Sequence, residues 1–388
     1  MAPARSIVRD GISSPPLRLF RLFGIQFTAN WSWLLLLGLL VIVAYDTTFR
    51  TLRPALPQPA LWGLAVFAAL LSIVSLYAHE LAHALVARSF GIPVRTISLF
   101  LLGGMAHITR ESPSPRAELL IAIAGPATSL LVGVVAAIVG FLVRDVAPPV
   151  AAMCLWLATM NIPLAVFNLV PAYPLDGGRV LRAVLWFAGD DLRWGSTIAA
   201  RVGQLAAVGL LFAGVWILFD GSGGALSGLW LIMIAWFMYA GATSSQHAAL
   251  FHDSLRRLTV ASVMDRDFGR VQVGDSIQFF AEQHLLQSSR ARGARSYAVY
   301  RDEFLVGLLS LRQIGSIPVS SWSSTSIERA TLPIESAMSM EPSAPALGAL
   351  HLLLEEGYEQ IAIMAEGRLL GLVTRDQLAR ATAEQRAR

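Results

Sequence analysis

Residues 75–86 read Ser-Leu-Tyr-Ala-His-Glu-Leu-Ala-His-Ala-Leu-Val, and they lie in an apolar run that reaches back to Leu61. On a helix, positions i and i+4 share one face, so His79 and His83 can bind one metal ion. Glu80 follows the first histidine and can act on water as a general base. Placing ionisable side chains in so apolar a segment costs free energy, so their presence indicates a function. The alternative is a chance match between packed core histidines, and a third ligand elsewhere would favour the metal site.

The composition is that of a membrane protein with several spans. Hydrophobic residues make up 55% of the 388 residues and charged residues 14%, with a mean hydropathy of +0.58, whereas soluble domains carry about 25% charged residues. The net charge of +4 fits cytoplasmic loops better than nucleic-acid binding. The single cysteine, Cys154, allows no intramolecular disulfide, and we do not expect it to bind metal. Residues 1–23 lack the apolar region of a cleaved signal peptide, so the first apolar span is expected to direct insertion.

Six apolar windows of about 20 residues predict membrane-spanning helices. They cover about Ala29–Ala44, Leu61–Ala87, Ala117–Val143, Val150–Val170, Thr197–Phe219 and Leu226–Thr243. If the N-terminus is cytoplasmic, the cytoplasmic segments hold most of the arginines near the spans, and the outer segments hold Arg50, Arg53 and Arg144. Because positive charge favours the cytoplasmic side, we expect a multi-pass protein of the cell membrane with both termini in the cytoplasm.

The segment from Gly91 to Thr109 is not predicted to be a seventh span. Its first half is β-branched, and Gly103-Gly104 breaks it, so the pattern predicts two short strands around a glycine turn. Non-helical backbone next to a membrane site must be buried in protein or line a wet cavity. His107 lies in this segment and is a possible third metal ligand, although a hydrogen-bonded loop histidine is the more common situation.

A better candidate for the third ligand follows the fourth window. Residues 167–179 read Phe-Asn-Leu-Val-Pro-Ala-Tyr-Pro-Leu-Asp-Gly-Gly-Arg, and the two prolines end the helix just before Asp176. Two histidines and one carboxylate with an open fourth position form a catalytic zinc pattern. Asn168 could donate a hydrogen bond to a developing oxyanion. The alternatives are a helix cap for Asp176 and an interhelical hydrogen bond for Asn168.

These motifs, together with Ala124-Gly125-Pro126 on the third window, resemble those of the site-2 protease family of intramembrane zinc metalloproteases. The resemblance covers the chain after about Phe20. It implies that His79, His83 and Asp176 bind one zinc ion per chain, and that Glu80 and Asn168 are catalytic. Where many relatives have Asn, this chain has Ser129, a packing or hydrogen-bond position.

The chain becomes charged and soluble in character after about Asp253. Two segments share a pattern of a helix, two short apolar strands around a polar turn, and another helix. This internal repeat, over about 258–383, resembles a tandem pair of CBS motifs. Family members that bind adenine nucleotides hold the ribose with an Asp three residues after a Ser or Thr, but this chain has Gln313 and Gln377 there. A nucleotide cofactor is therefore in doubt, and a docking or dimerisation module is the alternative.

The predicted fold is thus a polytopic α-helical membrane protein with a small β-hairpin near the site and a C-terminal α+β tandem CBS domain. The expected domains are a cytoplasmic segment (1–28), a transmembrane metalloprotease domain (29–250) and a regulatory CBS pair (258–383). By resemblance, the protein is a zinc metalloendopeptidase that cleaves a transmembrane helix of a membrane-anchored substrate, such as an anti-sigma factor or a transcription-factor precursor.

Further expectations concern the partners and the hairpin. The partners are a single-pass transmembrane substrate, membrane lipids and a second copy bound through the CBS pair, with no nucleic acid. The hairpin is expected to offer a strand edge to the unwound substrate, so that Ile97→Pro or Leu99→Pro would slow proteolysis with zinc retained.

Two other functions are compatible with parts of the pattern. A CBS-regulated transporter or channel could use the same ionisable residues for ions, but such proteins more often show inverted repeats of broken helices, which the six windows lack. A catalytically inactive zinc-binding scaffold is the other alternative, and the intact Glu80 argues against it.

Overall fold

The computed structural model describes residues 17–52, 55–100, 103–108, 112–220, 224–285, 297–309, 311–355 and 358–387. Two compact units are present, one over Ile7–Ala249 and the other including Leu250–Arg388. The first unit holds the apolar helices and a small sheet, and the second is a mixed α+β unit.

In the part of the chain that the structure describes, the first unit contains seven helices, the last of which continues past Ala249. They are α1 (Trp33–Thr47), α2 (Gln58–Ser89), α3 (Pro115–Val143), α4 (Pro148–Asn168), α5 (Asp176–Gly189), α6 (Leu192–Asp220) and α7 (Ala225–Arg257). Among the described residues, five segments are long and apolar enough to cross a membrane: α2, α3, α4, α6 and the Ala225–Ala248 part of α7. These five correspond to the last five of the six predicted windows.

The first predicted window differs from the structure. α1 has 15 residues, a rise of about 22 Å, which is shorter than the roughly 30 Å hydrocarbon core of a bilayer. The window was expected to begin near Ala29, but Ala29 ends a strand, and the helix begins only at Trp33. Four of the five residues of that strand are buried, and the strand pairs with two neighbours, so sheet pairing rather than hydropathy determines where the helix starts.

A four-stranded sheet accompanies the helices. Its strands are β1 (Leu17–Leu22), β2 (Ile25–Ala29), β3 (Val94–Phe100) and β4 (Gly103–Ile108), in the order β1-β2-β3-β4. The β3–β4 hairpin is antiparallel, as predicted. The β1–β2 hairpin was not predicted, because residues 1–28 were expected to be a plain cytoplasmic segment. Its two-residue turn, Phe23-Gly24, has positive φ at both positions, which suits a tight hairpin.

The extra hairpin changes the position of β3. β2 pairs with β3 in parallel, so β3 lies between two neighbours, and the outer strands are β1 and β4. The expectation that Ile97 and Leu99 lie on an edge is therefore wrong. Both side chains are fully buried and pack with Ile25, Phe27 and residues of α2. The sheet thus forms a core with the helix that carries the histidine motif.

The second unit contains two similar α+β halves. Its strands are β5 (Gly269–Gln272), β6 (Tyr297–Arg301), β7 (Phe304–Leu309), β8 (Thr331–Pro333), β9 (Ser339–Met340), β10 (Ile361–Ala365) and β11 (Arg368–Val373). Its helices are α8 (Val260–Val263), α9 (Ile277–Phe280), α10 (Leu311–Gly315), α11 (Ala346–Glu355) and α12 (Arg375–Ala387). The hairpins β6–β7 and β10–β11 are the two predicted strand pairs, each followed by a helix. The mixed α+β character predicted for this part is confirmed.

Candidate metal centre

The two histidines of α2 point to a common place in the protein interior. His79 is 3% exposed and His83 is 4% exposed. Their Nε2 atoms lie 3.2 Å apart, as expected for residues one helical turn apart on one face. The helix therefore presents two imidazole nitrogens as a pair.

α3 fixes the other nitrogen of each ring. His79 Nδ1 lies 2.9 Å from the Ser129 hydroxyl, and His83 Nδ1 lies 2.6 Å from the carbonyl oxygen of Ile121. Such contacts orient a ring and leave the opposite nitrogen, Nε2, for a metal ion. Ser129 thus contributes a hydrogen bond to the first histidine of the motif.

The third side chain comes from the start of α5. Asp176 Oδ2 lies 3.2 Å from His79 Nε2 and 3.2 Å from His83 Nε2. Burial alone would raise the pKa of the Asp176 carboxyl, but hydrogen bonds and charge interactions with the two histidines hold it below its ordinary value. The first turn of a helix also favours a negative charge. The carboxyl group is therefore an anion, as a metal ligand must be.

The donor set fits a zinc ion. A regular tetrahedron with bonds of about 2.0–2.1 Å has edges of roughly 3.3 Å, and the three edges of this cluster are each 3.2 Å. Among the described residues, one group of three His, Cys, Asp or Glu side chains is close enough together to bind a metal ion. It consists of His79, His83 and Asp176. Gly125 makes room for it, because a Cβ there would lie 2.6 Å from His79 Nε2 and closer still to His83 Nε2.

Glu80 lies beside the cluster of His79, His83 and Asp176, and the β3–β4 hairpin packs against it. Its side chain is half-buried, and a Cβ on Gly104 of β4 would lie 2.6 Å from Glu80 Cγ. β4 therefore passes directly against the carboxylate proposed as the general base. His107 also lies in β4, but its side chain falls outside the described residues, so its candidacy as a ligand stays a prediction.

Asn168, the last residue of α4, lines a cavity of about 410 Å³. Its side-chain amide donates to the carbonyl oxygen of Leu164 at 3.0 Å, within its own helix. The cavity also reaches Ser75 and Leu76, one turn before His79, and Leu175, next to Asp176. The walls are mostly apolar and come from α1, α2, α4, α7 and the turn before α5. Hydropathy gave no sign of this cavity, because it forms between helices distant in sequence.

The comparisons with known proteins agree with this geometry. The model of peptidase family M50 matches residues 66–148 and 144–211, which include the histidine motif and Asp176. The chain is 33% identical over 369 residues to "Putative zinc metalloprotease Rip3" of Mycobacterium tuberculosis, covering 93% of this chain and 91% of that protein. It is 32% identical to "Putative zinc metalloprotease sll0528" of Synechocystis sp., over 92% of this chain and 93% of that one. The chain belongs to peptidase family M50, the site-2 protease family, and it is a membrane protein.

Two solved structures are similar to parts of the chain. The site-2 protease from Methanocaldococcus jannaschii is 28% identical, with 60% of this chain and 95% of that chain covered and a TM-score of 0.42. A structure of CBSX2 in complex with AMP is 22% identical, with 34% of this chain and 98% of that chain covered and a TM-score of 0.28.

Proposed function

We propose that this protein is an intramembrane zinc endopeptidase that cleaves a transmembrane segment of a membrane-anchored protein. The observation that carries the proposal is the convergence of His79, His83 and Asp176 at 3.2 Å spacing, inside a set of membrane-length helices and next to Glu80. Two imidazoles and a carboxylate leave a fourth position open for water or substrate, as in catalytic zinc sites.

Glu80 and Asn168 supply the acid–base and polar groups of the proposed reaction. A zinc ion at the three ligands would polarise the scissile carbonyl and lower the pKa of water. Glu80 accepts the proton of the attacking water and passes it to the leaving amine. Asn168 has a second amide hydrogen beyond the one that bonds Leu164, and a turn of its side chain would direct a donor to the oxyanion.

The cavity and the β4 strand accommodate the substrate. A transmembrane helix hides its peptide bonds in its own hydrogen bonds, so it must unwind before cleavage. The apolar cavity beside Ser75 and Leu175 suits the side chains of such a segment. The edge of β4 next to Glu80 supplies main-chain partners for the unwound backbone. Anti-sigma factors and transcription-factor precursors are the kinds of single-pass substrate that we propose.

The second unit modulates this activity in our proposal. Gln377 stands where nucleotide-binding CBS motifs have an Asp, and its Oε1 accepts from Thr374 N and from Thr374 Oγ1. Its Nε2 donates to Asp265 Oδ2 at 2.8 Å. Since both ends of the amide are engaged, the position favours docking or pairing of two copies over ribose binding. An adenine nucleotide at this unit is the less favoured alternative.

The arginine distribution supports an orientation with both termini in the cytoplasm, provided that α1 also crosses the membrane. Labelling of Arg257→Cys in intact cells by an impermeant thiol reagent tests this, in a Cys154→Ala background. The reagent should react only after the cells are opened, and reaction in intact cells would refute the orientation.

The zinc content of the purified protein and the cleavage of membrane proteins in proteoliposomes test the function. Wild-type protein should hold about one zinc per chain and generate new termini in single-pass proteins from the same cells, detected by mass spectrometry. Glu80→Gln should keep zinc and lose about 10²–10⁴-fold in rate, whereas Asp176→Ala should lose most of the zinc. Full zinc occupancy in Asp176→Ala would remove that residue from the ligand set, and cleavage by Glu80→Gln at the wild-type rate would refute the mechanism.

A further inference from the structure

A buried carboxylate outside the proposed ligand set lies in the first turn of α3. Glu118 is 0% exposed, and its Oε1 accepts a hydrogen bond from Arg179 Nε at 3.1 Å and another from Arg182 Nη2. The Ser112 hydroxyl donates to Oε2 of the same carboxylate. Both oxygens therefore have partners, and the proposed reaction uses none of these groups.

The two arginines belong to the helix that supplies the candidate carboxylate ligand. Asp176, Arg179 and Arg182 are spaced three residues apart on α5, so they follow one side of that helix. The Arg179 cation interacts electrostatically with Asp176 as well as with Glu118. Arg179 thus has two carboxylates within electrostatic reach, and one of them is needed for the metal.

Glu118 also belongs to the helix that orients both histidines, through Ser129 and Ile121. Its ion pairs therefore join the helix behind the imidazoles to the helix that carries the carboxylate. Stability alone is a weak reason for this arrangement, because apolar side chains of similar volume stabilise a buried contact as well as an ion pair does.

We propose that Glu118 is a positioning residue that keeps Arg179 engaged and so leaves the carboxylate of Asp176 to the metal ion. Without Glu118, Asp176 is the other carboxylate that interacts electrostatically with the Arg179 guanidinium. A guanidinium bound there competes with the metal for the same oxygens. This inference rests on the proposed function, because it presupposes that Asp176 binds zinc.

Metal affinity in the full-length purified protein tests the inference. In competition with a chelator, Glu118→Gln should bind zinc about tenfold or more weakly than wild type. A loss of this size is typical when a residue that supports a metal ligand is mutated. The visible absorption of the Co²⁺-substituted variant should also change, because the coordination of Asp176 changes. The double variant Glu118→Gln/Arg179→Gln should recover zinc affinity, since the competing cation is gone. A merely structural role for Glu118 would not produce this recovery.

Two further variants keep the test decisive. Glu328→Gln removes a carboxylate from an exposed ion pair with Arg301 and should leave zinc affinity unchanged. Arg179→Gln alone keeps the Glu118–Arg182 pair and should bind zinc at least as tightly as wild type. This variant tests the inference even if Glu118→Gln does not fold. Wild-type affinity in Glu118→Gln, a double variant as weak as Glu118→Gln, or loss of zinc in Arg179→Gln would each overturn the inference. Wild-type protein without zinc would instead refute the proposed function itself.

Discussion

The missing side chain at Gly125 leaves room for the two histidine rings. An added methyl group would lie within 2.6 Å of His79 Nε2 and closer to His83 Nε2, so at least one ring must turn away from Asp176. We therefore expect Gly125→Ala to weaken zinc binding by about tenfold or more, as for other changes around metal ligands. Zinc titration of the purified variant measures this.

Gly63→Ala is the matched control at the residue scale. Gly63 belongs to α2, the helix that carries both histidines, and nothing lies within 4 Å of the Cβ it would gain. This variant should keep wild-type zinc affinity and gain about 0.5–1 kcal/mol of helix stability. Equal zinc affinities in Gly125→Ala and Gly63→Ala would contradict the packing argument.

Residues that act through local spacing could be predicted from the sequence, and residues that act through distant contacts could not. His79, Glu80 and His83 lie within one turn and a half of a single helix, so their arrangement follows from helical periodicity. The pairing of Glu118 with Arg179 spans 61 residues. No local pattern contains such a contact, because it exists only after α3 and α5 pack together.

At the scale of elements, the direction of the main-chain groups of β4 can be derived from the hydrogen bonds of β3. Asn30 N donates to Leu99 O at 2.8 Å, so the main-chain groups of Leu99 face β2. Leu99 and Gly104 are opposite residues in the antiparallel pair, and their main-chain groups therefore point away from each other. The N–H and C=O of Gly104, and of Ala106 two residues later, point to the outer edge of the sheet.

Because the outward N–H groups belong to β4, a proline in β4 is a better test of substrate binding than Ile97→Pro or Leu99→Pro in β3. Ala106→Pro removes an N–H that points outward, a place where an edge strand tolerates proline. We expect the variant to fold and keep zinc, but to cleave about fivefold more slowly, the equivalent of one net hydrogen bond to the substrate. Cleavage in proteoliposomes and zinc content measure the two effects.

Ile97→Pro is the comparison variant for β4. Its N–H lies on the same side of β3 as that of Leu99, toward β2, and its side chain is fully buried. It should lower the free energy of unfolding by about 1–3 kcal/mol, because the buried partner of the lost N–H is left unsatisfied, and reduce zinc content with it. A wild-type cleavage rate in Ala106→Pro would show that the β4 edge does not bind substrate.

The long apolar elements were predicted well, whereas two short elements, α5 and the β1–β2 hairpin, were missed, for one physical reason. α2, α3, α4 and α6 are recognisable because a bilayer requires about 20 apolar residues in a row. α5 and the β1–β2 hairpin are held instead by contacts with other elements. For α5, the helical spacing of Val180, Leu181, Val184 and Leu185, at i, i+1, i+4 and i+5, was the available signal.

At the scale of the whole molecule, the change in composition after about Asp253 falls close to the boundary between the two compact units, at Ala249–Leu250. The repeated strand–turn–strand–helix pattern identified the second unit. In both halves, the first three residues of the first hairpin strand and the last three of the second strand are buried. The mechanism of the proposed regulation by the second unit could not be predicted, because the sequence contains no signal for a ligand at Gln313 or Gln377.

Removal of the second unit tests its role in the whole molecule. Truncation after Asp253 keeps the Ala225–Ala248 span and all of His79, His83 and Asp176, so zinc content should stay at about one per chain. Substrate processing in cells should change in rate or lose its response to growth conditions, because the proposed regulatory unit is gone. Pulse-chase measurement of a substrate found in the proteoliposome experiment follows this. Unchanged processing under every growth condition would refute regulation by the second unit, whereas loss of zinc would show that the metal centre depends on that unit for its folding.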